Sequence, residues 1–141
     1  MLQVVITGTI VANRFQIERL AGTGGMGAVY RAHDQLTGGP VALKLVHAHS
    51  NSPDESSRFA REAQLLASLR HPGIVSYVAH GITPQGARFL AMEWLDGEDL
   101  AQRLQRGSLP LKSALLLLRR VAEALSFAHE RGILHRDLKP T

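Results

Sequence analysis

Toward the end of the chain, His135, Arg136, Asp137 and Lys139 crowd into the run "HRDLKPT". An aspartate placed among such neighbours can orient a hydroxyl nucleophile and take up its proton as the oxygen attacks. A lysine two places on can neutralise charge that develops on a transferring phosphoryl group. Zinc is a poor reading of the same residues. His135 and Asp137 are next-but-one neighbours on a short loop, with no cysteine or further histidine to close a coordination sphere.

Three other stretches carry chemistry. Gly22, Gly24 and Gly27 form GxGxxG, with Val29 two residues on. Glycine lets backbone approach phosphate oxygens closely, and the same pattern also serves a plain hairpin turn. A dinucleotide fingerprint requires a helix directly after the glycines. Here "AVYRAHD" reads as a strand and reaches Gly38-Gly39-Pro40 too soon for a crossover helix, so the glycines sit at a hairpin tip. Lys44 stands inside the apolar run "VALKLV". A lysine there either snorkels from an edge strand to water or meets an anion, and Glu62 is the candidate partner. Finally, "AMEWLDG" is an apolar strand running into a turn, where free backbone groups can meet a flat heterocycle or simply end the strand.

These residues need elements to hold them. The run "RFQIERLAG" alternates apolar and polar; "GAVYRAHD", a turn at "LTGGP" and "VALKLVH" follow, which predicts an antiparallel meander. A helix comes next, with Ser52 as N-cap, Pro53 at the first position and Glu55 completing a capping box. Phe59, Ala63 and Leu66 recur at helical spacing, and Glu62 lies within that stripe. Two more strands, "IVSYVAHG" and "ARFLAMEW", flank the turn "TPQG". From Asp96 the pattern turns helical: a short helix, then a long one from Pro110 to about Arg131, stopped by Gly132. Its Leu115-Leu116-Leu117-Leu118 covers every face, as in a helix buried on all sides.

Composition sets the class. The chain has 141 residues, 45% apolar and 20% charged, the profile of one globular domain. Its formal charge of +4 comes without a run of like charges, so it suits a phosphate-rich small ligand or a loosely held polyanion and does not by itself argue for nucleic acid. There is no cysteine. Residues 4–12 are apolar but short, broken by Gly8 and without a basic lead, unlike a secretory leader. No stretch approaches a membrane span, and the expected location is cytoplasmic.

Taken in order, "GTGGMGAVY", "VALK", "FAREAQLLASLRHPGIV", "FLAMEWLDG" and "HRDLKP" resemble the eukaryotic-like (Hanks-type) protein kinase domain in its bacterial Ser/Thr form, over about residues 8–141. The resemblance implies an α+β fold: a small lobe of a five-stranded antiparallel sheet with one helix, then the first helices of a helical large lobe. It implies an N-terminal extension at 1–7, the small lobe at 8–92, a hinge at 93–97 and the start of the large lobe at 98–141. It also assigns roles. Gly22, Gly24, Gly25 and Gly27 would cover the ATP phosphates, and Val29 and Ala42 would wall the adenine. Lys44, held by Glu62, would grip the α- and β-phosphates. Met92 would be the gatekeeper, with the backbone of Glu93 and Leu95 on the adenine edge. Asp137 would be the catalytic aspartate and Lys139 would steady the γ-phosphate. Arg136 would dock a phosphorylated activation loop.

The implied activity is transfer of the ATP γ-phosphate to Ser or Thr hydroxyls of a protein substrate, with Mg2+ as cofactor. The magnesium-binding Asn and the DFG aspartate of the family pattern lie past residue 141, so this chain carries no metal ligand of its own and little turnover is expected from it alone. The alternative is a non-catalytic nucleotide-binding or protein-interaction fragment that folds with a partner, the remainder of the kinase domain being one such partner.

Overall fold

Alternation of buried and half-buried residues along β3 (Gly27–Asp34) and β4 (Pro40–Val46) sets the frame of the sheet. The computed structural model describes residues 6–24, 27–46 and 53–140, and at residues 53–55 the backbone alone. Four further strands are β1 (Ile10–Val11), β2 (Phe15–Gly24), β5 (Tyr77–Ile82) and β6 (Arg88–Glu93). The helices are α1 (Pro53–Ser68), α2 (Leu100–Leu104) and α3 (Leu111–His129). All strands join one antiparallel sheet in the order β1-β2-β3-β4-β6-β5.

The expected α+β fold is present, with one strand more than the five expected. The addition is β1, which pairs Ile10 with Gln16 and Val11 with Phe15. Two residues are too few for alternation to register. Its turn is also disguised: Ala12 and Asn13 both adopt positive φ, 52° and 53°, and the Arg14 N–H closes onto the Val11 carbonyl at 3.1 Å. Such a turn normally advertises itself by Asn-Gly, and here alanine takes the first left-handed position.

The chain divides into two compact units, Met1–Ser68 with Ser76–Trp94, and Leu69–Val75 with Leu95–Thr141. In the first, one face of the sheet is the core, built on Phe15, Ile17, Tyr30, Leu43, Phe89 and Ala91 with smaller neighbours. The rings of Phe15 and Phe89 meet edge to face, 5.8 Å between centroids. Leu43 is fully buried, and cutting it back to alanine removes about 2–5 kcal/mol of stability. Helix α1 begins at Pro53 as expected; its capping residues Ser52 and Glu55 lie outside the described residues and side chains. It buries Ala63, half-buries Phe59 and Leu66, and packs on β5, with the Phe59 ring edge-on to His80.

In the second unit, Asp99 caps α2 reciprocally with Gln102: its carboxylate accepts from the Gln102 N–H at 2.7 Å and its own N–H donates to the Gln102 side chain at 3.1 Å. Helix α3 follows Pro110 and ends at His129, and Gly132 just beyond it, with a φ of 74°, is the left-handed stop that glycine accepts without strain. His71 stacks near Phe127 at 5.1 Å, so the segment 69–75 packs on α3. Ala124 and Ala128 are buried, whereas Leu111, Leu115, Leu116 and Leu118 are exposed. No helix among the described residues is long and apolar enough to cross a membrane.

Candidate functional site

The sheet face opposite the core collects Gly22, Val29, Ala42, Lys44 and Met92 among the candidate residues. Residues directly opposite in a ladder share a face, as do alternate residues along a strand. Gly22 faces Val29, Val29 faces Lys44, and Lys44 faces Leu90, which makes one row across β2, β3, β4 and β6. The next row runs Arg19, Arg31, Ala42 and Met92. Val29, Ala42, Lys44, Leu90 and Met92 are all half-buried, while their alternates belong to the core. The fold thus brings Val29, Ala42, Lys44 and Met92 onto one small apolar platform with a single ammonium group in it.

The glycines divide into two kinds. Gly27 has a φ of 147°, and a Cβ there would run into the Leu45 carbonyl oxygen. The fold itself demands glycine at that place. A Cβ at Gly22 or Gly24 would meet nothing within 4 Å, so the chain makes no steric demand there and leaves open space above the platform edge. Gly25 lies outside the described residues.

Lys44 and Glu62 are not brought together. Among the described residues Lys44 forms no ion pair, and Glu62 is exposed. The physical reason is the seat of α1. It leans on β5, and β6 separates β5 from the β4 strand that carries Lys44. The buried Ala63 faces inward, and Glu62, one residue earlier on the helix, is turned about 100° away from it.

At the end of β6, Glu93 is tied twice to Ser76. Its N–H donates to the Ser76 carbonyl, and its carboxylate accepts from the Ser76 N–H, both at 2.9 Å. The Glu93 amide is therefore unavailable to a base. Leu95, the other candidate of this stretch, is exposed and belongs to the second unit.

In the second unit, the segment 135–140 turns tightly. Arg136 takes a left-handed φ of 61°, and the Asp137 N–H reaches back to His135 Nδ1 at 3.3 Å, which makes that nitrogen the acceptor. Lys139 Nζ lies 3.2 Å from Asp137 Oδ2, an exposed pair that contributes little to stability. The Pro140 carbonyl accepts the Ala101 N–H at 3.1 Å and so tethers the segment to the start of α2. Among the described residues, no group of three or more His, Cys, Asp or Glu could hold a metal ion.

Sequence reasoning missed the surroundings of Trp94. Arg19 and Arg31 both lie over its ring, and Arg31 pairs with Glu18. Arg31 shares the two-residue phase of Val29, and that phase was the available signal.

Comparisons with known proteins identify the family. A family model described as the protein kinase domain matches residues 15–141. "Serine/threonine-protein kinase pkn2" of Myxococcus xanthus is 41% identical over 133 residues, 93% of this chain and 16% of that protein. "Serine/threonine-protein kinase PknA" of Mycobacterium tuberculosis is 39% identical over 139 residues, 94% of this chain and 32% of that one. Among solved structures, the Mycobacterium tuberculosis PknI kinase domain superposes with a TM-score of 0.83 at 33% identity, over 97% of this chain and 55% of that chain. The chain spans a third or less of these curated relatives and about half of the solved kinase domain.

Proposed function

The chain belongs to the protein kinase family, and from that premise we propose that it forms the ATP-binding part of a bacterial Ser/Thr protein kinase. The observation that carries the proposal is the platform of Val29, Ala42, Leu90 and Met92 around Lys44, with open space at Gly22 and Gly24 beside it. An apolar surface of this kind takes the flat face of adenine, and one ammonium group next to it suits phosphate. ATP supplies the phosphoryl group that the family transfers.

Each residue then has a task. Val29 and Ala42 enclose the base, and Met92 bounds the depth of the pocket. The backbone of Glu93 and Leu95 meets the adenine edge; at Glu93 the carbonyl is the candidate group, since its amide is held by Ser76. Gly22, Gly24, Gly25 and Gly27 let the backbone approach the phosphates. Lys44 binds the α- and β-phosphates. Asp137 orients a Ser or Thr hydroxyl of a protein substrate and accepts its proton; Lys139 offsets charge on the γ-phosphate. Arg136 docks a phosphorylated loop, and Glu62 steadies Lys44 only when the rest of a kinase domain is present. The described residues do not form a magnesium site, so no step here runs through that ion. The residues 93–97 act as the hinge between a small lobe at 8–92 and a large-lobe segment at 98–141, after an extension at 1–7. We place the protein in the cytoplasm, working with the rest of a kinase domain.

The separation of Lys44 from Glu62 favours a second reading for the chain by itself: a nucleotide-binding or protein-interaction unit without turnover. Calorimetric titration with ATP, followed by a phosphotransfer assay on a Ser/Thr protein substrate, tests both. Lys44-dependent binding with negligible turnover is expected, and absence of binding contradicts the proposal.

A further inference from the structure

We infer that Trp94 is a positioning residue of the nucleotide site, clasped by Arg19 and Arg31 so that the strand leading into the glycine hairpin and the strand end that presents Glu93 are held as one piece. The inference rests on the reading that this sheet face takes an adenine nucleotide.

Trp94 is the sole tryptophan of the chain and directly follows β6. The guanidinium carbon of Arg19 lies 5.3 Å from its ring centroid and that of Arg31 lies 5.6 Å away. Both are within the roughly 6 Å reach of a cation–π contact. A bulge in β2 makes the cluster possible. Ile17 opposes Ala32 and Arg19 opposes Arg31, so Glu18 is an extra residue in the ladder. In a regular strand, neighbours such as Glu18 and Arg19 point to opposite faces. The bulge re-aims them, and Glu18 reaches Arg31 while Arg19 reaches the same indole. Glu18 also offsets a like-charge pairing, because Arg19 and Arg31 face each other directly across the ladder and such a pair is destabilising by itself.

The position of the cluster gives it consequence. Arg31 stands in the same row as Ala42 and Met92, and β2 continues from Arg19 to Gly22 and Gly24. The two arginines therefore connect the hairpin strand to the residue next to Glu93. Loss of the indole releases the base-facing edge and leaves Lys44 untouched. Recognition of the base falls, and recognition of phosphate does not.

The test uses the 141-residue chain, titrated calorimetrically with adenosine, ATP and inorganic triphosphate. Trp94→Ala is expected to weaken adenosine binding about three- to tenfold, with unchanged triphosphate binding, and Trp94→Phe to recover part of the loss. Arg19→Met, at an exposed position, is expected to weaken adenosine in the same direction without lowering the melting temperature, which guards against a folding defect. Lys44-dependent ATP binding combined with wild-type adenosine affinity in Trp94→Ala and Arg19→Met overturns this inference alone. A parallel fall in adenosine affinity, triphosphate affinity and melting temperature in all three variants also overturns it, since that marks a purely structural role. Absence of ATP and adenosine binding by the unaltered chain overturns the nucleotide reading and this inference with it.

Discussion

Arg14 clasps Asp34 through two parallel hydrogen bonds, Nε to Oδ1 and Nη2 to Oδ2, each 2.7 Å long. Asp34 is fully buried and also accepts from the Leu36 N–H at 3.0 Å and the Thr37 hydroxyl at 2.9 Å. The Gln35 N–H returns to the Arg14 carbonyl at 3.0 Å. One carboxylate therefore binds the start of β2 to the turn between β3 and β4, the strands that carry Val29 and Lys44.

Removing Arg14 leaves the buried Asp34 carboxylate without its cation, and removing Asp34 leaves the half-buried Arg14 guanidinium without its acceptor. Asp34→Ala or Arg14→Ala is expected to lower stability by about 3 kcal/mol, read by urea denaturation. The hydrogen bond from Arg14, aided by Leu36 and Thr37, holds the Asp34 carboxyl well below the usual carboxylate range against the opposing effect of burial. A depressed folded value contributes stability that is present above the unfolded value of about 3.9 and is lost as pH falls through it toward the folded value. Stability is expected to be level above about pH 5 and to drop on further acidification, with a smaller drop in Asp34→Asn.

The glycines should separate experimentally. Gly27→Ala forces a Cβ onto the Leu45 carbonyl and is expected to lower the melting temperature. Gly24→Ala meets open space, so its melting temperature should match the wild type while ATP binding weakens. Paired thermal melts and ATP titrations read both.

Lys44 and Glu62 are expected to act independently in this chain. Glu62→Gln removes an exposed charge and should change stability by no more than about 0.5 kcal/mol. A double-mutant cycle with Lys44→Met should show no coupling in urea denaturation. Coupling of about 1 kcal/mol or more would show that the two side chains meet.

The leucines of α3 are expected to bind a hydrophobic dye. Leu111, at 76% exposure, and Leu118, at 64%, are the most open of them. Leu111→Lys with Leu118→Lys should cut the dye signal and reduce self-association, with stability shifted by no more than about 0.5 kcal/mol each.

The sheet was legible wherever one face is buried and the other is not. The runs "VALKLV" and "VYRAHD" alternate because Leu43 and Tyr30 enter the core while Lys44 and Val29 do not. The long helix was legible from Pro110 at its start and glycine chemistry at Gly132, but the burial on all sides expected from its leucine run is not seen, since Leu115, Leu116 and Leu118 are exposed. Strand β1 was hidden by an Ala12-Asn13 turn that lacks the usual residues. The bulge at Glu18 was hidden because an extra residue leaves no compositional mark. The Lys44–Glu62 pairing depends on where α1 sits, and a one-residue difference in helix phase separates the buried Ala63 from the exposed Glu62. Such a tertiary choice is not written in helix periodicity.

The most direct measurement is a methyl-labelled NMR titration of the chain with ADP, observing Val29, Ala42, Leu90 and Met92 against Leu43 and Leu45 on the core face. Saturable shifts are expected at the first four, abolished or weakened in Lys44→Met, with the core-face methyls little changed. Shifts confined to other residues, or none at saturating ADP, would contradict it.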